Sequence, residues 1–136
     1  MNNLTPYIFF KGNCGEAMNF YKSCFGGTLE LMTYGDSPKD ACPGDKEIDP
    51  NQIMHASLIA GDFKLMASDN PMSVPVVGDN VSIAIHCESV EQTDKLFKAL
   101  SAGGQVTMPL ANMFWGAYYG ALQDKYGFHW MLNCEA

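Results

Sequence analysis

Apolar residues recur along this chain at two spacings, and each spacing predicts one kind of element. Within residues 14–25 the spacing is three or four, which is typical of an amphipathic helix; its members are Ala17, Phe20, Tyr21, Cys24 and Phe25. Short apolar or alternating runs predict strands at 7–10, 28–34, 53–60 and 63–68. Gly61-Asp62 is a signal for a hairpin turn. The front half is therefore predicted to be a strand, a helix and three strands, interrupted by a long polar loop at 35–52 that is a candidate lid.

The back half of the chain repeats this order. A helix capped by Ser89 is predicted over residues 90–102. The accompanying strands are predicted at 81–85, 105–110, 115–123 and 129–134. Each helix carries an aromatic residue followed by Lys near its end and closes on two glycines, Gly26-Gly27 and Gly103-Gly104. A repeat of this size indicates one supersecondary unit used twice.

A βαβββ unit covers one face of its sheet with its helix and leaves the other face bare, so two units are needed to enclose a site. At 136 residues the chain is too small for two independent cores. We therefore predict one domain over residues 1–136, with module one at about 1–70, a linker at 71–80 and module two at about 81–136. The predicted fold class is α+β, with a curved mixed sheet around a concave cleft.

Charge and composition exclude several partners. The net charge is −7, and all eight basic residues are lysines. This balance repels phosphate backbones, and the lack of arginine removes the usual bidentate anion ligand. No segment has the length of a membrane span or the pattern of a signal peptide. We predict a cytoplasmic protein that binds neither nucleic acid nor membrane. Five cysteines without a CxxC pair indicate neither a disulfide framework nor a zinc knuckle. Cys14, near a helix start, is the candidate for a reactive thiolate, although we expect it to be inert.

The order and spacing of several motifs resemble those of the vicinal oxygen chelate superfamily, which includes glyoxalase I, fosfomycin and bleomycin resistance proteins and extradiol dioxygenases. Within it the chain is most similar to the PhnB-like branch, often labelled as a demethylubiquinone methyltransferase. The motifs that carry the resemblance are residues 7–14, Phe20-Tyr21, Phe25-Gly26-Gly27, Ile53-Met54-His55-Ala56, Gly61-Asp62, Leu65-Met66, Ser68-Asp69, Met108-Pro109-Leu110, Phe114-Trp115-Gly116 and residues 127–133. The resemblance implies a glyoxalase/bleomycin resistance-like fold and a homodimer.

The resemblance also implies where a metal would be bound, because catalytic members hold one with His and Glu. The Glu position, four residues after Gly127, is Met131 here. The His positions fall near Pro6 or Tyr7 and near Ser82 or Ile83. A thioether cannot replace a carboxylate for a hard divalent ion. The usual divalent metal site is therefore predicted to be absent, and no cofactor is assigned.

Strand alternation selects the candidate ligand-facing residues. If Ala56 and Leu58 lie beneath a helix, His55 and Ser57 face the cleft. If Trp130 and Leu132 face the second helix, the residues of the last strand that face the cleft are His129, Met131 and Asn133. The full candidate set is Tyr7, His55, Ser57, Trp115, Tyr119, His129 and Met131, with His55 and His129 as the candidates for catalysis. Each histidine has the alternative of being an ordinary hydrogen-bonded strand residue.

These observations favour a protein that binds a small organic molecule in an aromatic cleft and that forms a homodimer. Two alternatives stay open. The first is an enzyme of the lyase, isomerase or dioxygenase type, using either a metal displaced to His55 and His129 or one histidine as a general base. The second is a dimeric interaction protein whose cleft is vestigial.

Overall fold

The computed structural model describes residues 4–36 and 48–135. Most of the loop predicted at 35–52 therefore lies outside the described residues. The chain divides into two compact units, one ending at Val76 and the other beginning at Val77, and these contain module one and module two. The boundary falls inside the stretch 71–80 that the sequence predicts as a linker.

Module one has the predicted order of strand, helix and three strands. Its elements are β1 (Tyr7–Phe10), α1 (Cys14–Phe25), β2 (Thr28–Thr33), β3 (Ile53–Ala60) and β4 (Phe63–Asp69). They form a sheet in the order β1-β4-β3-β2, in which β1 runs parallel to β4 and the other pairs are antiparallel. One turn of 3-10 helix, Tyr34–Asp36, follows β2.

Module two repeats this architecture. Its elements are β5 (Ile83–His86), α2 (Val90–Ser101), β6 (Gln105–Asn112), β7 (Ala117–Gln123) and β8 (His129–Glu135). The sheet order β5-β8-β7-β6 corresponds strand for strand to that of module one, again with one parallel pair. The predicted α+β fold of two βαβββ modules is confirmed. Two strand starts were wrong: β5 begins at Ile83 rather than residue 81, and β7 begins at Ala117 rather than residue 115. Five strand ends, those of β2, β4, β5, β6 and β8, differ from the predictions by one or two residues.

Each helix packs on one face of its own sheet, and there the module's core lies. In module one, Ala17 and Tyr21 are buried as predicted, but Cys14 and Met18 complete the buried stripe of α1. The predicted members Phe20, Cys24 and Phe25 are only half-buried. In module two the buried residues of α2 are Thr93, Phe97 and Leu100. The apolar stripe predicted for α2 is Leu96, Phe97 and Leu100; it missed Thr93, because a threonine within an apolar stripe carries no hydropathy signal, and Leu96 is only half-buried.

The repeated glycine pairs have a steric cause. A Cβ atom at Gly27 would overlap the carbonyl oxygen of Ile59 and the Cα of Ala60, at the end of β3. A Cβ atom at Gly104 would overlap the carbonyl oxygen of Gln123, at the end of the corresponding strand β7. In both modules the chain leaving the helix therefore passes directly against a neighbouring backbone, and only glycine allows that approach.

The two helices begin in different ways. Ser89 caps α2 as predicted, because its hydroxyl accepts a hydrogen bond from the amide of Gln92 at 3.0 Å. The sequence likewise predicts Asn13 as the cap of α1, but this prediction was wrong, since the Asn13 side chain makes no capping hydrogen bond. A distant carboxylate, Asp69 at the end of β4, takes this place and accepts hydrogen bonds from the amides of Gly12 at 2.7 Å and Cys14 at 3.0 Å.

Both helices contain 12 residues. Within the part of the chain that the structure describes, neither helix is long and apolar enough to cross a membrane.

Candidate functional site

The face of each sheet that lies opposite its helix is called its open face. In module one the register places Tyr7, Met66 and Ser57 side by side on the open face. His55 lies two residues before Ser57 on the same strand and therefore shares this face. Ala56 and Leu58 are fully buried on the other face, as predicted. Three of the candidate residues, Tyr7, His55 and Ser57, are therefore neighbours in one module.

Tyr7 and His55 form a direct pair. The Tyr7 hydroxyl lies 3.3 Å from Nδ1 of His55, and the ring centroids are 5.9 Å apart. This contact engages one ring nitrogen and leaves the Nε2 side for another group. Sequence reasoning placed both residues in the site but could not pair them, because they are 48 positions apart.

Ser57 has the predicted orientation but little free surface. Only 9% of the residue is exposed, and Ser68, on the adjacent strand, is similarly buried at 6%. Around them the open face of module one carries exposed apolar side chains, namely Phe9, Met32 and Ile59. A ligand on this face would therefore contact mainly Tyr7, His55 and apolar surface.

On the open face of module two, the alternation of β8 follows the prediction. Trp130 and Leu132 are fully buried, while His129, Met131 and Asn133 are half-buried. Met131 lies between Ala84 of β5 and Ala121 of β7 in the register. The centre of this face is therefore one thioether flanked by two small side chains.

The aromatic pair of module two differs in one respect from the prediction. Tyr119 lies on β7 as expected, but Trp115 lies in the turn before β7 and not on the strand. The ring of Trp115 contacts that of Tyr119 edge to face at a centroid distance of 6.5 Å, and the Phe114 ring lies 4.9 Å from that of Trp115. Trp115 keeps 58% of its surface exposed, so much of its indole is available for stacking.

Sequence reasoning missed one polar residue of this face. His86, at the end of β5, is opposite Asn133 in the register, and Asn133 is opposite Tyr119. The three side chains form one row across three strands. Alternation along the short β5 could have revealed His86, but the predicted strand ended at Ile85.

The positions at which the resemblance implies metal ligands do not fit a metal here. They are Met131, Pro6 or Tyr7, and Ser82 or Ile83, and none of these residues is a carboxylate or an imidazole. Among residues 4–36 and 48–135, no group of three or more His, Cys, Asp or Glu side chains converges.

The candidate thiol Cys14 lies in an environment that suppresses ionisation. It is fully buried. Burial, with a smaller contribution from the charge of Asp69, raises the pKa of its thiol to about 12. A thiol in this state is neutral near pH 7 and is not a nucleophile.

Comparison with known proteins agrees with the fold. A structure of protein PA1353 from Pseudomonas aeruginosa is 41% identical, covers 99% of this chain and 98% of its own, and superposes with a TM-score of 0.86. The PhnB protein from Bacillus cereus is 28% identical, with coverage of 98% and 99% and a TM-score of 0.74. A glyoxalase/bleomycin resistance protein/dioxygenase family enzyme from Burkholderia phytofirmans, 15% identical, shares the fold over 97% of each chain with a TM-score of 0.66.

These likenesses show that the chain has the fold that its motifs indicate. Residues 2–133 match a family described as 3-demethylubiquinone-9 3-methyltransferase. The chain belongs to this family, and the similar PhnB protein from Bacillus cereus carries the same description.

Proposed function

We propose that this protein binds a small organic molecule on the open faces of its sheets. One observation carries the proposal: the open face of module two combines the Trp115–Tyr119 ring pair with half-buried polar side chains and no lysine. Small-molecule sites are mostly apolar and aromatic with a few placed polar groups. The proposed contact residues are Tyr7, His55, Ser57, Trp115, Tyr119, His129 and Met131.

A thermal-shift screen with aromatic, thiol and antibiotic-like compounds tests this proposal. Stabilisation grows with the logarithm of ligand over its dissociation constant, about 2.7 kcal/mol at a hundredfold excess, so compounds are used at high concentration. A positive compound is expected to lose its effect with Trp115→Ala or Tyr119→Ala. Val76→Ala is the control, because Val76 is 97% exposed and lies in neither sheet.

The screen also separates the proposal from other functions. A shift with S-adenosylmethionine alone would instead favour the methyl transfer named in the family description. No shift with any compound would favour a vestigial site in an interaction protein.

A second candidate function is metal-free acid–base catalysis, favoured by the contact between Tyr7 and His55. If the imidazole donates from Nδ1 to the phenol, Nε2 is left as a proton acceptor, and in the other tautomer Nε2 is a donor. Nitrogen-15 NMR of the imidazole identifies the tautomer. Tyr7→Phe is expected to change it, and His55→Ala to abolish turnover of a substrate found in the screen. Stoichiometric metal in the purified protein, lost in His55→Ala, would replace this candidate with a metalloenzyme.

The proposed assembly is a homodimer in the cytoplasm. Several apolar side chains are highly exposed, including Phe114 at 98% and Leu4 at 93%. Pairing of two copies would remove such surface from water. Analytical ultracentrifugation tests the proposal, and a monomer at all accessible concentrations would contradict it.

A further inference from the structure

The row formed by His86, Asn133 and Tyr119 spans β5, β8 and β7 on the open face of module two. Its alignment follows from two register pairs, His86 with Asn133 and Asn133 with Tyr119. Directly opposed side chains on one face lie about 5 Å apart. Three polar side chains are thus close enough together to contact one small molecule.

None of the three side chains makes a hydrogen bond within the described residues. This differs from other polar groups of the same sheet: Gln123 donates to the carbonyl oxygen of Gly127, and the indole of Trp130 donates to Asp124. Asn133 is half-buried, and a partly desolvated amide without a partner is unfavourable. A bound molecule that hydrogen-bonds this amide would remove that cost.

The charge around the row disfavours an anion. The charged residue on the same face of β8 is Glu135, which is exposed and lies two residues beyond Asn133, about 7 Å away along the strand. No lysine lies on the strands of module two, and the whole chain carries a net charge of −7. A benzoate-like ligand would therefore meet repulsion without a compensating cation. The groups in the row are an amide, a phenol and an imidazole, which suit an uncharged partner with both donors and acceptors.

The apolar part of such a ligand has an adjacent surface. The ring of Tyr119 ends the row and contacts the largely exposed indole of Trp115. Met131 lies on β8 two residues from Asn133, on the same face. Aromatic and thioether groups both pack well against a planar ring.

We propose that His86, Asn133 and Tyr119 form the polar end of a binding site on module two, and that its ligand is a planar aromatic molecule carrying an uncharged carboxamide-like group. This inference rests on the proposed function, which it deepens by adding His86 and Asn133 and by naming the ligand class.

Three probes of nearly the same shape test the ligand class: benzamide is neutral, benzoate is an anion and benzamidine is a cation. Each is titrated into the nitrogen-15 labelled full chain and followed by NMR. For a probe of this size we expect a dissociation constant on the order of 1 mM. Benzamide is expected to shift the amide signals of β5, β7 and β8 together with the Trp115 indole signal, and to bind about tenfold more tightly than either charged probe.

Variants test the residues. Asn133→Leu keeps the approximate volume but removes the amide, and is expected to weaken benzamide binding about fivefold, the size of one hydrogen bond. His86→Phe is expected to have a similar effect. Asn112→Leu is the matched control, because Asn112 is an exposed asparagine on β6 that is opposite Tyr118 and so lies on the other face. The spectrum of each unliganded variant checks that it is folded.

The outcomes separate the two proposals. If benzamide binds elsewhere, or binds module two equally well in Asn133→Leu and His86→Phe, the row is not the polar end and only the further inference fails. If benzoate or benzamidine binds most tightly to the row, the ligand class is wrong. If neither the probes nor the compounds of the wider screen bind, the proposed function fails as well.

Discussion

In module one Met66 lies between Tyr7 and Ser57 in the register, whereas in module two the corresponding Met131 lies between Ala84 and Ala121. Ser57 on β3 therefore corresponds to Ala121 on β7. His55 lies two residues before Ser57 and Tyr119 lies two residues before Ala121, so His55 and Tyr119 occupy equivalent positions. The modules therefore share a backbone and a central methionine but differ around it. In module one the polar side chains of Tyr7 and His55 contact each other. In module two the side chains of His86, Asn133 and Tyr119 make no hydrogen bond within the described residues.

This difference indicates which features the duplication retains. Three features recur because either copy needs them to fold: the close contact of Gly27 or Gly104 with a neighbouring backbone, the sheet order, and the helix-facing side of the sheet. The open faces are free of that constraint, and their side chains differ. We therefore expect the residues that differ between the modules to determine binding, and the residues that agree to determine folding.

The modules also differ in how a buried aspartate is used. Asp69 accepts hydrogen bonds from the amides of Gly12, Cys14 and Ile53 and so joins three segments of module one. Asp124 accepts from the amides of Tyr126 and Phe128 and from the indole of Trp130, and so organises one hairpin of module two. Both carboxylates are nearly inaccessible, at 2% and 3% exposed.

The largest expected effect is the loss of Asp69. Asp69→Ala leaves three backbone amides without an acceptor, two of them in buried contacts, and is expected to lower the free energy of unfolding by roughly 3–5 kcal/mol. Urea denaturation measures the change. Asp62→Ala, in the exposed hairpin turn, is the control and should cost less than about 0.5 kcal/mol. A loss below about 1 kcal/mol for Asp69→Ala would mean that water replaces the carboxylate.

Substitution of Gly27 and Gly104, which both lie directly against a neighbouring backbone, tests the similarity between the modules. Gly27→Ala and Gly104→Ala each force a methyl group against a carbonyl oxygen, and each is expected to cost roughly 2–4 kcal/mol. Gly61→Ala separates strain from crowding, because Gly61 has a φ of 61° but open space around its Cα. It should cost about 1–2 kcal/mol. Gly27 also has a φ of 86°, so Gly27→Ala is expected to cost about 1–2 kcal/mol more than Gly104→Ala. Equal losses at the two positions would contradict this difference.

The last effect appears only at alkaline pH and concerns Cys14. Its pKa is raised from 9.0 to about 12 in the folded state, so above pH 9 the unfolded chain loses this proton more readily than the folded one. Stability is therefore expected to fall between pH 9 and 12, and Cys14→Ala should make that fall less steep. Thermal denaturation at a series of pH values measures it. An unchanged slope would show that Cys14 does not contribute to the alkaline loss.

Much of the fold could be predicted from the sequence, because hydrophobic spacing and glycine pairs are local signals. The bounds of β1 and β3 and the start of α2 agree with the predictions, as does the alternation of β8. Helix capping could be predicted only where the cap was local. Ser89 lies three residues from its donor, whereas Asp69 is 57 residues from Gly12.

For the site, the sequence by itself determined which side chains are available and, through strand alternation, which of them share a face of their strand. It also predicts that the usual metal site is absent, because Met131 stands where the family resemblance implies a carboxylate. Only the tertiary structure decided which residues of different strands are neighbours. Pairing strands that are distant along the chain brought Tyr7 to His55 and His86 to Asn133, because register depends on how all four strands of a sheet pack beneath their helix.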